Sequence, residues 1–263
     1  MIEALIFIFT GVLVGVTAGL FGLGGGLIIV PVVTYSLMFF SNYSLDQAIH
    51  TGVGTSLASI VLTGTMATYA HTKNKNIDYK IIYKFIIGVL IGALLVGFII
   101  KMLPGNILKN FFIIYTFFIA YNTYTHKINL SKSSIPSNFF SNTVGFFFAI
   151  ISSLVGIGGA TLFVPYLIKR NISTKLAIGT SSALGFLIGL AASISIFLSS
   201  LYSVSTGSSM FGFIYLPAIL FLTLPSLIFV KLSANWLLKI SDVNVKKLFS
   251  SMLLIIGLLM LLN

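Results

Sequence analysis

The chain has 263 residues, of which 57% are hydrophobic and only 7% are charged, and its mean hydropathy is +1.10. A water-soluble domain carries about a quarter charged residues, so this composition excludes a soluble fold and predicts one membrane-embedded unit. The formal net charge of +11 fits lysines in loops on the cytoplasmic side of a membrane, and we expect no nucleic-acid partner.

Ten apolar segments are predicted as helices of an all-α polytopic membrane protein. A helix that spans the membrane needs about 20 apolar residues. The two segments that begin at Gly24 and Gly159 are not expected to be full spans. In chain order the segments are Ile2–Ala18, Gly24–Phe40, Ala48–Ala70, Ile81–Ile100, Ile107–Tyr124, Phe139–Leu154, Gly159–Ile168, Lys175–Leu198, Phe213–Val230 and Val245–Leu262.

Lysine and arginine are distributed unevenly between the loops that join these segments. When the loops are assigned alternately to the two sides, thirteen basic residues lie on one side, and only Lys101 and Lys109 lie on the other. The positive-inside rule makes the first side cytoplasmic. Both termini are therefore predicted to lie outside.

Two stretches of the chain repeat one motif. L-F-G-L-G-G-G-L-I-I-V-P at 20–31 aligns without gaps to L-V-G-I-G-G-A-T-L-F-V-P at 154–165, and G-T-S follows at 54–56 and at 179–181. Two pairs in the same order indicate a duplication, with repeats at 1–130 and 131–263. Because each repeat holds five segments, the second would enter the membrane from the opposite face, as in the inverted repeats of secondary transporters.

The glycines are predicted to form turns at the tips of broken or re-entrant helical hairpins. Gly159–Ile168 gives about 15 Å of helix, which is half of a hydrocarbon core about 30 Å thick. The helix after each turn would direct its free N–H groups back at the turn, and two such ends from opposite faces would form an anion site. The alternative is that the glycines only allow close helix packing.

The paired motifs resemble the TauE/SafE sulfite exporter family, also called TSUP permeases, over about residues 4–262. The resemblance implies transport of a small sulfur-containing or organic anion, such as sulfite, a sulfonate or sulfoacetate, across the bacterial inner membrane. Ala160 departs from the pattern, because it replaces the third glycine of the second copy. The substrate-binding residues that the resemblance implies are Gly22, Gly24, Gly25, Gly26, Thr55, Ser56, Gly156, Gly158, Gly159, Thr180 and Ser181.

The hydroxyl groups of the two G-T-S motifs have two interpretations. At membrane depth they are suited to donate hydrogen bonds to an oxyanion. The alternative is that each hydroxyl binds the carbonyl one turn earlier or joins two helices. Both interpretations remain open from the sequence.

Few titratable groups are expected at membrane depth. The four acidic residues lie near segment ends or in loops, so no carboxylate is expected to couple transport to an ion. His50 precedes Gly54 by four residues, and it is the residue expected to carry a proton if transport is proton-linked; the alternative is a hydrogen-bonded interface residue. His71 is expected in a solvated cytoplasmic loop.

The leading functional prediction is a secondary transporter of a small anion in the lipid bilayer. An anion-channel-like pore could be built from the same hairpins, and transport of another small organic anion is a further alternative. An enzyme is not expected, because the chain has no cysteine and offers no catalytic constellation at depth. Neither a cofactor nor a metal site is expected, and the oligomeric state is not predicted.

Overall fold

The computed structural model describes residues 2–22, 24–125, 136–200, 210 and 212–262, and these residues form helices and no strand. Every predicted segment corresponds to a helix, which confirms the all-α polytopic fold; the predicted boundary between the repeats, at 130 and 131, lies outside the described residues. The helices are α1 (Ile2–Phe21), α2 (Gly26–Ser41), α3 (Leu45–Lys73), α4 (Tyr79–Ile100), α5 (Gly105–Thr125), α6 (Asn138–Leu154), α7 (Ala160–Lys169), α8 (Thr174–Ser200), α9 (Leu216–Trp236) and α10 (Asp242–Leu262).

The outer surface of the helices is apolar. Phe9 of α1, Phe98 of α4, Ile114 of α5 and Leu220 of α9 are each more than half exposed. Large contiguous apolar surfaces are rare on soluble proteins, and α1, α4, α8 and α9 are long and apolar enough to cross a membrane. These side chains therefore face the lipid acyl chains, and the protein is a multi-pass membrane protein.

Glycines let two helix pairs approach closely. Gly11, Gly15 and Gly19 of α1 face the backbone of α9, and a Cβ atom at Gly15 would lie 2.5 Å from the Ser226 carbonyl oxygen. In the same way, Gly92 of α4 faces the backbone of α6. Small residues at helix contacts are a common basis of packing in lipid, where apolar burial gives little drive for helix association.

The two halves of the chain make the same set of helix contacts when α1–α5 are matched in order with α6–α10. α1 packs on α9 as α6 packs on α4; α2 packs on α3 as α7 packs on α8; and α4 packs on α8 as α9 packs on α3. The pairs α3–α8 and α5–α10 join the two halves. A duplicated unit would produce this pattern; the inverted orientation of the copies stays a prediction.

A carboxylate ties together three helices at the end of the molecule where α1 begins. Glu3 accepts hydrogen bonds from Ser36 of α2 at 2.9 Å and from Tyr215 at 3.3 Å. Burial, together with the negative charge of Glu3, raises the pKa of Tyr215 to about 12. The phenol therefore stays protonated and donates to the carboxylate at neutral pH.

Candidate anion site at the glycine turns

The backbone conformation explains the glycines of both turns. Gly22 and Gly25 have φ angles of 71° and 84°, and the residues 134 positions later, Gly156 and Gly159, have φ angles of 75° and 78°. Residues that carry a Cβ atom rarely adopt this left-handed backbone conformation. Gly24 also has a positive φ of 64°, whereas Gly158 does not.

Both turns are buried between helices. A Cβ atom at Gly24 would lie 2.9 Å from Ile60 of α3, and one at Gly156 would lie 2.7 Å from Val30 of α2. The carbonyl of Gly158 approaches Gly185 of α8. Non-helical backbone at membrane depth requires this enclosure by protein.

Four consecutive amides at the second turn make no hydrogen bond to a described residue. On one side of them Ile157 donates to Ser152 O at 2.8 Å, and on the other Leu162 donates to Gly159 O at 3.0 Å, but no bond starts from the amides of residues 158–161. All four residues are buried, and more than nine in ten buried amides in proteins have a partner. These amides are therefore suited to hold an acceptor such as an anion.

The first turn has a related arrangement. Gly25 precedes α2, and no side chain caps the helix; the amides of Gly26 and Leu27 likewise donate to no described residue. Thr63 of α3 donates to the Gly24 carbonyl at 2.8 Å. A side chain from α3 thus fixes the turn, and the N-terminal N–H groups of α2 are left without a described acceptor.

The serines of the two G-T-S motifs have different surroundings. Ser56 donates to the Gly156 carbonyl at 2.6 Å and so ties α3 to the second turn. Ser181 Oγ is buried and has no hydrogen-bond partner among the described residues. Ser56 therefore shapes the turn, while Ser181 is the hydroxyl of this pair that can donate to a substrate.

The threonines of the same motifs contact helix N-termini. Thr55 accepts a hydrogen bond from the amide of Tyr215 at 2.8 Å, and Thr180 accepts one from the amide of Asp78 at 3.0 Å. Tyr215 and Asp78 are the N-cap residues of α9 and α4. Each threonine therefore joins two helices, as the alternative interpretation allowed, and its role in substrate binding stays a prediction.

The glycines of these motifs allow the same connections to come close. Gly54 of α3 lies against the carbonyl of Phe213, two residues before the α9 cap, and Gly179 of α8 lies against the carbonyl of Asn76, two residues before the α4 cap. A side chain at either position would collide with backbone. The Gly-Thr pair therefore positions the start of a helix in each half.

His50 bridges two backbone carbonyls. Its Nδ1 lies 2.6 Å from Asp46 O and its Nε2 lies 2.9 Å from Ile100 O, the last carbonyl of α4. Asp46 Oδ2 is 4.0 Å from Nδ1, while Oδ1 of the same carboxylate accepts from the Gly105 amide at the start of α5. His50 is 4% exposed, and its predicted role in proton transfer stays a prediction.

Lys175 makes the corresponding contact in the second half. It follows His50 by 125 residues, the spacing that also separates the two G-T-S motifs. Its ammonium group donates to the Leu238 carbonyl just after α9 at 3.0 Å. Basic side chains are stabilising near helix C-termini, where carbonyls lack partners, so both residues join the start of one helix to the end of another.

The prediction for His71 is wrong. Helix α3 continues to Lys73, three residues past the predicted end at Ala70, so His71 lies inside the helix and is fully buried. Its ring nitrogens have no hydrogen-bond partner of ordinary geometry among the described residues. The signal that could have revealed it is helical spacing, because His71 follows Ala67 and Gly64 by four and seven residues on the buried face.

Neither a metal cluster nor an apolar surface groove among the described residues offers an alternative anion site. Among the described residues, no three His, Asp or Glu side chains lie close enough together to hold a metal ion. A groove of about 410 Å³ between α1, α2 and α10 is almost wholly apolar, which suits an acyl chain rather than an anion. It is lined by Ile6, Ile28, Pro31, Val32, Tyr35, Ser36, Phe39, Phe40, Ile256 and Leu259.

Comparison with known proteins places this arrangement in a family. The family model described as sulfite exporter TauE/SafE matches residues 7–260. A "Probable membrane transporter protein" of Haemophilus influenzae is 30% identical over 98% of each chain, and one of Methanocaldococcus jannaschii is 26% identical over 97% of this chain and 94% of its own. No solved structure matches. The chain belongs to the TauE/SafE sulfite exporter family.

Proposed function

We propose that the protein is a secondary transporter of a small anion and that the anion binds at the two glycine turns. The observation that carries the proposal is the run of four buried amides at residues 158–161 without a described acceptor. Similarity to proteins named as probable membrane transporters supports the transport function. The family description supports a sulfur-containing oxyanion: sulfite, a sulfonate, sulfoacetate or thiosulfate.

Electrostatics favour such a site without a basic side chain. Aligned peptide dipoles give a helix N-terminus about half a positive charge, and backbone amides there bind anions in many proteins. The turns at 20–26 and 154–160 contain no lysine or arginine. A site made of amides and hydroxyls binds through several hydrogen bonds, each of which costs little to break when the anion leaves.

The proposal includes alternating access between two related halves. The two halves make matching sets of helix contacts, which supports a duplication into 1–130 and 131–263. With five helices in each repeat, the copies would be inverted, the hairpins would enter from opposite faces, and both termini would lie outside the bacterial inner membrane. Alternating access then follows from movement of one repeat against the other around the site.

The test is ligand binding and transport by the purified protein. We expect sulfite, thiosulfate, methanesulfonate or sulfoacetate to raise the melting temperature, and acetate to raise it less. In liposomes, the stabilising anion should be taken up and should show counterflow against an unlabelled internal pool. If no anion of the panel stabilises the protein or enters the liposomes, the proposal is wrong.

A second function, an anion-channel-like pore, is favoured by one observation. The N-terminal ends of α2 and α7 both lie against the α3–α8 pair, and half-helices of this kind also line channels. A channel gives single-channel currents and no counterflow, whereas a transporter gives counterflow and a low turnover number. The same liposomes separate the two functions.

A further inference from the structure

We infer that the substrate head group binds at the second glycine turn, held there by the hydroxyl groups of Tyr115, Thr161 and Ser152. The inference rests on the proposed transport of an anion and adds which turn binds it and which side chains select it. Tyr115 and Ser152 lie outside the repeated motifs, and Thr161 lies inside the second copy of the glycine motif at a position where the first copy has leucine.

The three hydroxyls form one buried cluster. Tyr115 of α5 and Thr161 of α7 share a hydrogen bond, and Ser152 of α6 places a third hydroxyl beside the same phenol oxygen. Ser152 Oγ has no partner of ordinary geometry among the described residues. Tyr115 is 6% exposed, and Thr161 and Ser152 are fully buried.

The cluster lies at the start of α7. Thr161 is the second residue of that helix, and its own amide is one of the four that lack a described acceptor. Ser152 supplies the carbonyl that receives the amide of Ile157 in the turn. Side-chain and backbone donors therefore surround the same N-terminus.

The hydrogen bond between Tyr115 and Thr161 does not use all the donors of the cluster, although each hydroxyl oxygen can also accept. Three hydroxyls carry three protons, and the bond between Tyr115 and Thr161 uses one of them. Polar hydrogens buried without an acceptor are rare in native proteins. Added to the four free amides, these hydroxyls favour a ligand with several acceptor oxygens that point in different directions. The three-oxygen head group of sulfite or a sulfonate meets this requirement better than a planar carboxylate.

The first turn lacks this cluster. At the offset of 134 residues that aligns the motifs, Ala18 stands in the place of Ser152 and Leu27 in the place of Thr161. Helices α5 and α10 align at an offset of 137 residues, which puts Met252 in the place of Tyr115. The first turn therefore lacks the counterparts of these three hydroxyls, and we expect the second turn to be the one that selects among anions.

The experiment compares Tyr115→Phe and Thr161→Val with a matched control. Thr116 is the neighbour of Tyr115 in α5 and is equally buried, but its hydroxyl bonds to the Phe112 carbonyl of its own helix. Dissociation constants for methanesulfonate and acetate are measured on the purified proteins by titration calorimetry. Loss of a hydrogen bond to a charged ligand weakens binding roughly tenfold, so Tyr115→Phe and Thr161→Val should weaken methanesulfonate binding by about that factor. Thr116→Val should leave it within about twofold.

Selectivity is the second readout, because a purely structural role would not change it. Tyr115→Phe should lower the preference for methanesulfonate over acetate, and Ser152→Ala gives the same test if either other variant does not fold. Unchanged affinity and preference in a folded variant, with binding to the wild type intact, overturn the inference and leave the proposed function standing. If the wild type binds no anion, the proposed function and the inference both fail.

Discussion

Replacing Thr55 or Thr180 by valine separates a structural role from a role in binding. Valine keeps the shape of threonine but cannot accept a hydrogen bond. The variants therefore leave the amide of Tyr215, at 2.8 Å in the native protein, or that of Asp78, at 3.0 Å, without its acceptor. Both amides belong to residues that begin a helix, so the loss should destabilise the start of α9 or α4.

The expected cost follows from the burial of each amide. A buried donor left without a partner costs about 1–3 kcal/mol. The contact at Tyr215 is buried and the contact at Asp78 is partly buried, so Thr55→Val should lie in the upper part of this range and Thr180→Val in the lower part. For a domain of roughly this size, each kcal/mol lost from the free energy of unfolding lowers the melting temperature by about 2–4 °C. Both variants should therefore melt several degrees below the wild type.

The assay is thermal unfolding in detergent, followed by anion binding well below the melting temperature. Thr223→Val is the matched control, because Thr223 is buried but its hydroxyl bonds to Ile219 O in its own helix. The control should melt close to the wild type. If Thr55→Val melts like the wild type and has lost anion binding, the threonine binds substrate and its capping role is refuted.

Three further predictions concern coupling, the turn and topology. His50→Gln should abolish uptake driven by an imposed proton gradient, measured in liposomes; unchanged proton-driven uptake would make His50 an interface residue only. Ser56→Ala removes the hydrogen bond to Gly156 O and should weaken substrate binding by about 1 kcal/mol, measured by calorimetry against the wild type. Equal affinity would show that Ser56 does not contribute to substrate binding. Lys73→Cys should resist a membrane-impermeant thiol reagent in intact cells and Met102→Cys should react, with no native cysteine to interfere; the opposite labelling would reverse the predicted orientation.

The sequence predicted the helices because lipid imposes a strong pattern on them. Without water to bind exposed backbone groups, a chain at membrane depth must be helical unless protein encloses it, and long apolar runs show where this applies. The first and last residues of a helix are harder to predict from hydropathy. Helix α3 begins at Leu45, capped by Ser44, and ends at Lys73, whereas apolarity alone predicted Ala48 and Ala70. The residues that extend this helix at both ends are mostly polar, so hydropathy does not mark them as helical. For that reason the sequence predicted His71 in a loop.

The sequence could not show which neighbours the hydroxyls face. Successive residues of a helix point about 100° apart, since an α-helix has 3.6 residues per turn. Thr55 and Ser56 therefore face different partners: the start of α9 and the second glycine turn. A repeated motif predicts that both residues matter, but the direction of each side chain depends on packing between helices that are distant in the chain.

Comparison of the two halves separates what the fold requires from what a ligand requires. Positions with a backbone task carry the same residue in both halves: Gly22 and Gly156 have matching positive φ angles, and Thr55 and Thr180 each accept from an N-cap amide. A duplicated backbone makes the same demands twice, so these positions cannot diverge freely. A substrate is asymmetric and makes its demands once. Positions that differ between the halves in a shared environment, such as the one held by Thr161 in the second half, are therefore where we expect substrate selectivity to lie.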